Sequence, residues 1–317
     1  MKTDNQKQPL VSIIIDNYNY ARFLRRAIDS ALGQTYANIE VVVVDDGSTD
    51  NSQEIMVAYG NRIVPVLKGN GGQASSLNEG FKASHGDIIC FLDSDDYFLA
   101  DKVMRIVELF ESHPSIGWIF HRLEYGDKCG DPLSLAQRSD FIEITLIDLR
   151  GALTTGEEMP LFPTATSALC FRRPILKQML PMPEALTLTA DNYLKIALPM
   201  LSIGLYCPEK LAFLCIHGSN AYSLRKDINP LREEISIKTA FYLRERFYDI
   251  HRYTDKMFVW SLALLIADVG LKKALEIREC RQYVKHYFST IKWFIFGPRL
   301  FYICLKLRWA GTDPSRS

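Results

Sequence analysis

The sequence lacks several features that mark specialised classes of protein. Its 317 residues include seven cysteines but no CxxC pair, so neither a disulfide scaffold nor a thiolate zinc site is indicated. The N-terminal segment MKTDNQKQPL has no apolar core of a signal peptide. The longest nearly unbroken apolar run, residues 257–267, is shorter than the roughly 20 residues that a bilayer span requires. We therefore expect a cytoplasmic protein with buried free thiols.

The chain also lacks an overall charge. Thirty-seven basic residues balance thirty-seven acidic ones, which gives no support for nucleic-acid binding by the whole protein. A composition of 48% hydrophobic and 23% charged residues is that of an ordinary globular protein with one large or two modest domains.

Strand and helix patterns alternate along the first part of the chain. Short β-branched apolar runs predict buried strands, and the segments between them have helical spacing. The strands are predicted at residues 11–15, 40–44, 63–67 and 88–92, and the helices at 23–32, 52–59 and 74–83. This order predicts an α/β fold with a mostly parallel sheet and helices on both faces.

Polar loops follow each of these four strands. They read DNYN from residue 16, DDGSTD from 45, KGNGGQ from 68 and DSDD from 93. Such residues also make ordinary turns and caps, so a single loop would mean little. Because ligands of parallel sheets bind at the carboxyl ends of the strands, four such loops together predict a polar ligand site.

Two aspartates of the last loop suggest a cation. Asp93 and Asp95 flank one residue, and in extended chain such side chains point the same way. Their repulsion is relieved by a hard cation such as Mg²⁺ or Mn²⁺, which prefers oxygen ligands. For Asp96 a cap of the following helix is the alternative, which would leave two functional acids rather than three. The Gly71-Gly72 loop lets backbone N–H groups approach a ligand, although it matches neither GxGxxG nor GxxxxGK[ST].

The combination of VVVDDGSTD and FLDSDD at this spacing resembles the inverting family 2 glycosyltransferases of the GT-A fold. The resemblance runs from about Pro9 to Tyr97, with weaker similarity to about Ser223. It implies transfer of a sugar from a nucleotide diphosphate donor, with UDP favoured, and Mn²⁺ or Mg²⁺ as cofactor.

The resemblance also implies roles for individual residues. Asp16 and Tyr18 resemble the loop beside the base, Asp45 the acid that hydrogen-bonds the base, and Asp93 an acid near the ribose. The full nucleotide-sugar-binding set is predicted to be Asp16, Tyr18, Asp45, Lys68, Asn70, Gly72 and Asp93. The chain departs from the family where Asp16-Asn17 replaces a frequent Pro-Thr and Leu77 replaces a frequent Arg.

The metal and the reaction are assigned in the same way. Asp95 resembles the metal ligand, and His217, after an apolar strand, resembles a second ligand or a diphosphate contact, with a structural histidine as the alternative. Inverting transfer needs a general base for the acceptor hydroxyl. Asp191 matches the second acid of the family's Glu-Asp pair, while Ala190 replaces the first. A helix cap is the alternative for Asp191.

We expect a catalytic domain over residues 1–225, with a nucleotide-sugar-binding half at 9–125 and an acceptor half at 126–225, followed by a helical region at 226–317. The acceptor is expected to be a glycan or lipid-linked. Residues 281–308 contain six Lys or Arg, several aromatics and no acid. This basic tail predicts peripheral attachment to an anionic membrane surface, with internal packing or a homodimer as alternatives.

Two other functions share parts of this pattern. A nucleotidyltransferase would have a related sheet, but it would normally carry a Gly-rich, Arg-containing loop after the first strand, where this chain has DNYNY. The other is a catalytically inactive scaffold that only binds a nucleotide sugar. Such a scaffold would not need all four of Asp45, Asp93, Asp95 and Asp191. Metal-dependent UDP binding would discriminate between an enzyme and a scaffold.

Overall fold

The computed structural model describes residues 8–127, 142–160, 162, 164–218, 220 and 228–287. The chain divides into two compact units, one formed by Met1–Arg150 with Pro160–Ser219 and the other by Gly151–Met159 with Asn220–Ser317. Most of the predicted basic tail, from residue 288 onward, lies outside the described residues.

Within the described residues, nine strands form a single sheet in the first unit. They are β1 Val11–Asn17, β2 Ile39–Asp45, β3 Val64–Leu67, β4 Ile88–Asp93, β5 Tyr97–Phe98, β6 Trp118–Asp127, β7 Thr145–Ile147, β8 Leu169–Arg172 and β9 Gly204–Ile216. Their order is β3-β2-β1-β4-β8-β6-β9-β5, with β7 also pairing β9. The first four are parallel to one another, whereas β8 pairs antiparallel with β4 and β6.

Eleven α-helices are assigned in the described residues. They are α1 Ala21–Leu32, α2 Ser52–Tyr59, α3 Gln73–Ala83, α4 Lys102–Ser112, α5 Arg150–Thr155, α6 Arg173–Lys177, α7 Asp191–Leu201, α8 Ile228–Arg246, α9 His251–Val269, α10 Leu271–Ala274 and α11 Arg278–Tyr287.

Helices cover both faces of the parallel strands, as the continuous apolar runs predict. On one face, Ile13 and Ile15 join a core cluster with the apolar stripe of α1, which includes Leu24 and Ile28. On the other face, α3 approaches so closely that a Cβ at Gly80 would lie 2.4 Å from a methyl group of Ile14. The predicted α/β fold is confirmed, and helices follow it toward the C-terminus.

The second unit is mainly helical. Its core is formed by α8, α9 and α11, which bury residues such as Ile237, Leu262 and Cys280. The rings of Phe258 and Tyr283 stack at 4.0 Å between centroids. Burial of these apolar side chains is the main force that holds such helices together.

The five cysteines in the described residues are buried free thiols, as expected. They are Cys90, Cys170, Cys207, Cys215 and Cys280. Across the part of the chain that the structure describes, no helix combines the length and apolarity that a membrane span needs.

Candidate functional site

The parallel strands bring the predicted acids to one edge of the sheet. In the β1–β4 ladder Asp16 is the register partner of Asp93, and in the β1–β2 ladder Asn17 is the partner of Asp45. Residues opposite each other on neighbouring strands lie about 5 Å apart. The pairing therefore makes neighbours of side chains separated by up to 77 positions in the sequence.

The surroundings of Asp16 and Asp93 disfavour the charged form of both carboxyl groups. Burial raises the pKa of Asp16 to about 7; the hydrogen bond with Asp93 lowers it, and the charge of Asp95 raises it further. Burial raises the pKa of Asp93 well above its ordinary value, and the charges of Asp16, Asp96, Asp95 and Asp191 add to this. Among the described residues, Asp16 Oδ1 is buried without a hydrogen-bond partner. These carboxylates repel one another.

The carboxyl groups fit a divalent cation. One oxygen from each of Asp93, Asp95 and Asp96 lies within 4.8 Å of the others. Asp96, however, is buried and accepts bonds from Ser167 Oγ at 2.5 Å and from the backbone N–H of Cys215 at 2.9 Å. The clustered, desolvated oxygens are the donor set that Mg²⁺ or Mn²⁺ prefers. Since Asp96 is held by the protein, Asp93 and Asp95 are the more accessible acids.

Of the two alternatives for Asp96, the helix cap is wrong. Helix α4 begins at Lys102, because the short strand β5, Tyr97–Phe98, intervenes and pairs with β9. The residue at the N-cap position is Asp101.

His217 lies against the acid cluster. Its Nε2 is 3.1 Å from Asp95 Oδ2, and its Nδ1 is 3.3 Å from Arg22 Nη2. The imidazole stacks on Phe23 at 4.4 Å between ring centroids. A guanidinium can only donate, so Nδ1 accepts in this arrangement and Nε2 carries the proton that faces Asp95.

The loops that follow β1 and β2 are bonded to each other. Asp45 is fully buried and accepts bonds from Asn17 Nδ2 at 3.0 Å, the Ser48 backbone N–H at 3.1 Å and Gln53 Nε2 at 3.0 Å. Tyr18 is 46% exposed beside them. The structure thus bonds Asp45 to Asn17, the residue that precedes Tyr18.

The loop after β3 is organised around Asp46, which the sequence pattern did not single out. The Asp46 carboxylate accepts bonds from the Gly71 N–H at 2.9 Å, the Gly72 N–H at 2.7 Å and the Lys68 ammonium group. Asn70 is exposed in the same loop. Three of the predicted nucleotide contacts, Lys68, Asn70 and Gly72, therefore lie together, and two of them are bonded to a protein carboxylate.

Asp191 is the first residue of α7 and only 5% exposed. Its Oδ2 pairs with Lys195 Nζ at 2.8 Å, one turn along the same helix. The N-cap position belongs to Ala190, so Asp191 is not the capping residue. Its charge contributes to the raised pKa of Asp93, which shows that the two carboxylates share one electrostatic environment.

Two residues that the sequence analysis missed connect these parts. Ser167 Oγ donates to Asp96 and accepts from the Asp93 backbone N–H at 3.1 Å, while its carbonyl accepts from buried Lys102 at 2.7 Å. The Gln73 amide bonds both Asp93 and the backbone of Ala190. Such contacts join segments up to 117 positions apart, and no local motif marks them.

Comparison with known proteins adds to this geometry. The sequence model of the family described as glycosyl transferase family 2 matches residues 12–175, more than half of the chain. An uncharacterized glycosyltransferase from Nostoc sp. is 37% identical over 215 residues, which cover 66% of this chain and 66% of that protein.

Solved structures resemble the fold. Residues 1–349 of Staphylococcus aureus TarS in complex with UDP-GlcNAc superpose with a TM-score of 0.60 and 19% identity, covering 84% of this chain and 75% of that chain. The mannosyltransferase PcManGT from Pyrobaculum calidifontis, in complex with GDP-Man and Mn²⁺, gives a TM-score of 0.52 and 17% identity, covering 96% and 88%. At these identities the likeness concerns the fold.

The matched segment accounts for only part of the curated relatives. It covers just under two thirds of the Nostoc protein and about one third of the relatives from Rickettsia typhi and Rickettsia prowazekii.

Proposed function

The chain belongs to glycosyl transferase family 2, and we propose that it transfers a sugar from a UDP-sugar to a hydroxyl group of a glycan or lipid-linked acceptor. The observation that carries this proposal is the register pairing of Asp16 with Asp93, with the charges of Asp95 and Asp191 acting on the same group. UDP is favoured because TarS, of similar fold, binds UDP-GlcNAc, and GDP is the alternative that PcManGT represents.

The nucleotide is proposed to bind over the loops that follow β1, β2 and β3. The exposed ring of Tyr18 offers a face for the base. An ionised carboxylate has about four acceptor sites, and Asp45 uses three of them. Because Asp45 is fully buried, an N–H group of the base reaches the fourth site only when the residues that cover it move. Asp16 lies beside the same loop, and Asp93 is proposed to meet the ribose.

The remaining contacts of the donor are proposed for Lys68, Asn70 and Gly72. Lys68 and the Gly72 N–H bind Asp46 and so hold the loop in shape. The Lys68 ammonium group also donates to the Gly69 carbonyl, which leaves its third N–H for the sugar or diphosphate, while Gly72 is proposed to shape the loop. The exposed Asn70 adds an amide donor at the same edge.

Asp95 and His217 are proposed to hold Mn²⁺ or Mg²⁺. Their facing atoms are 3.1 Å apart, close to the separation of two neighbouring ligands about 2.1 Å from one ion. Ligation by Nε2 requires that its proton moves to Nδ1, so Arg22 has to release that nitrogen. A bound cation would neutralise the charge that develops on the departing diphosphate.

Asp191 is proposed to act as the general base. As the acceptor oxygen attacks the anomeric carbon, its proton passes to the Asp191 carboxylate and the bond between that carbon and the diphosphate breaks. One displacement inverts the configuration at the carbon. The ion pair with Lys195 fixes one carboxylate oxygen and thereby orients the group.

Substituting the proposed base tests the proposal. Asp191→Asn keeps the size of the side chain but cannot accept the proton, so UDP release from UDP-GlcNAc should fall by about 10²–10⁴-fold. Affinity for UDP with Mn²⁺, measured by calorimetry, should be retained because the lost interaction belongs to the transition state. Asp101→Asn is the matched control, since Asp101 is an exposed acid at the start of α4. Wild-type rates of UDP release by Asp191→Asn would contradict the assignment.

A further inference from the structure

Gln73, the first residue of α3, bridges two parts of the site that lie far apart in the sequence. We propose that Gln73 is a positioning residue that holds Asp93 and the start of α7, which carries Asp191, in a fixed relation. This inference rests on the proposed function, because it assigns Asp93 to the donor side and Asp191 to the acceptor side of the transfer.

The bridge uses both ends of the side-chain amide. Gln73 Nε2 donates to Asp93 Oδ1 at 3.0 Å and to Thr166 Oγ1 at 3.2 Å, while Oε1 accepts from the Ala190 backbone N–H at 2.9 Å. The partners determine which way the amide points. A flipped amide would place its oxygen against a carboxylate and its NH₂ group against a backbone N–H. Only glutamine and its close analogues supply a donor and an acceptor at these two places.

The backbone around Gln73 is held against the same segment. The Gln73 N–H donates to the Thr187 carbonyl at 2.9 Å, and the Ala74 N–H donates to Leu186 at 3.3 Å. The approach is close, since a Cβ at Gly72 would lie 2.7 Å from Thr187 Cα. The bonds of the side chain therefore act on a segment that is already pressed against the start of α3.

The segment that leads into α7 is also conformationally constrained. Thr189 has a φ of 46°, a left-handed conformation that β-branched residues rarely adopt. Such strain persists only where surrounding contacts hold it. The next N–H, that of Ala190, is the one that Gln73 accepts, and Asp191 follows directly. Loss of this bond frees the strained segment to relax and displaces the Asp191 carboxylate.

A displaced base has a predictable kinetic effect. A misplacement of about 1 Å in a reacting group can cost about 10²-fold in rate. Gln73 has no titratable group and is assigned no contact with substrate, so its loss should lower the rate of the chemical step and leave donor binding largely intact. A residue that merely stabilised the fold would change both in proportion to the amount of folded protein.

The test uses Gln73→Met in the full-length protein, because methionine matches the length of glutamine but makes neither bond. We expect kcat for UDP release from UDP-GlcNAc to fall by about 10–100-fold, with the donor KM and the Kd for UDP with Mn²⁺ changed by less than about threefold.

Asn78→Leu is the matched control. Asn78 lies on the same helix and makes two bonds to the backbone of Met182, at 2.9 Å and 2.7 Å, so its loss is comparable in structural terms. It should lower Tm as Gln73→Met does, with kcat within about threefold of wild type.

Each other outcome has a separate meaning. If Gln73→Met keeps kcat within about threefold of wild type, or if Asn78→Leu loses as much kcat at equal Tm, the bridge has no positioning role. If wild-type protein releases no nucleoside diphosphate from any UDP-sugar or other nucleotide sugar, the proposed function itself fails, and the inference fails with it.

Discussion

Buried acidic residues occur in both units of the chain, but the groups around them differ. At the sheet edge, the charged groups that raise the pKa of Asp93 are all other aspartates. In the helical unit, Asp255 accepts a bond from the Tyr283 hydroxyl at 2.8 Å and lies 3.9 Å from Arg244 Nε. Glu279 accepts a bond from Tyr242 at 2.9 Å.

This difference indicates that the carboxylates of the helical unit have a structural role, whereas those of the sheet edge have a ligand-binding one. A buried charge costs several kcal/mol unless it is paired and hydrogen-bonded. The helical unit supplies its own partners, and burial together with the Glu279 bond raises the pKa of Tyr242 to about 12, so this donor keeps its proton. At Asp16 and Asp93 of the sheet edge, burial and the charges of other aspartates outweigh the hydrogen bonds that the protein supplies, so the pKa values of both are raised. Such an excess is typical of a site completed by a cation and a ligand.

The largest expected effect comes from removing one acid of the sheet edge. Asp95→Asn should lower kcat for UDP release by about 10²–10⁴-fold, since a cation at the leaving group contributes several kcal/mol. In EDTA its Tm should change little, because removing the charge of Asp95 relieves its repulsion with Asp93 and Asp96, while the oxygen of the new amide still accepts the bond from His217. Steady-state kinetics and thermal unfolding measure the two effects. Mn²⁺-dependent turnover at the wild-type rate in Asp95→Asn would contradict the ligand-binding use of the acids at the sheet edge.

The opposite pattern is expected in the helical unit. Tyr283→Phe removes the hydroxyl that donates to buried Asp255 and leaves that carboxylate short of a partner. The free energy of unfolding should fall by about 1–3 kcal/mol. The kcat per folded molecule should stay at the wild-type value. Urea unfolding gives the first quantity, and a drop in kcat at full folding would show that the two units do not differ in this way.

The smallest expected effect concerns pH. The folded-state pKa of Asp16, about 7, lies above its ordinary value of 3.8, so the folded state holds a proton that the unfolded chain releases. The stability that this bound proton contributes is therefore fully present below about pH 4 and is lost as the pH rises through about 7. Asp16→Asn should flatten the fall of Tm between pH 5 and pH 8 in EDTA, by about 2–6 °C at the upper end. An identical pH dependence of Tm in both proteins would contradict the raised pKa.

The fold was largely predictable because apolar runs mark buried parallel strands. The runs at 11–15, 40–44 and 88–92 were found, but the strands continue to Asn17, Asp45 and Asp93. Hydrophobic patterning does not predict these last positions, because the residues there are polar although their backbones still pair with the neighbouring strand. Helix α7 also departs from local sequence rules. A proline usually ends or kinks a helix, yet α7 continues through Pro199 to Leu201.

The candidate site was predictable only in its local motifs. Asp93 and Asp95 stand in one short segment, and the predicted parallel sheet placed them at the same edge as Asp16. The partners of these acids depend on long-range packing instead. Ser167 reaches Asp96, and Gln73 reaches Ala190, because β8 pairs with β4 and the segment before α7 crosses the start of α3. Neither residue belongs to a motif that carries its role.

Titration of the wild-type protein with UDP, by calorimetry with Mn²⁺ and again with EDTA, tests the central claim most directly. If the acids of the sheet edge bind a cation together with a nucleotide diphosphate, UDP should bind in the presence of Mn²⁺ and lose most of its affinity in EDTA. Absence of UDP and GDP binding in Mn²⁺, or equal affinity with and without the metal, would contradict the account.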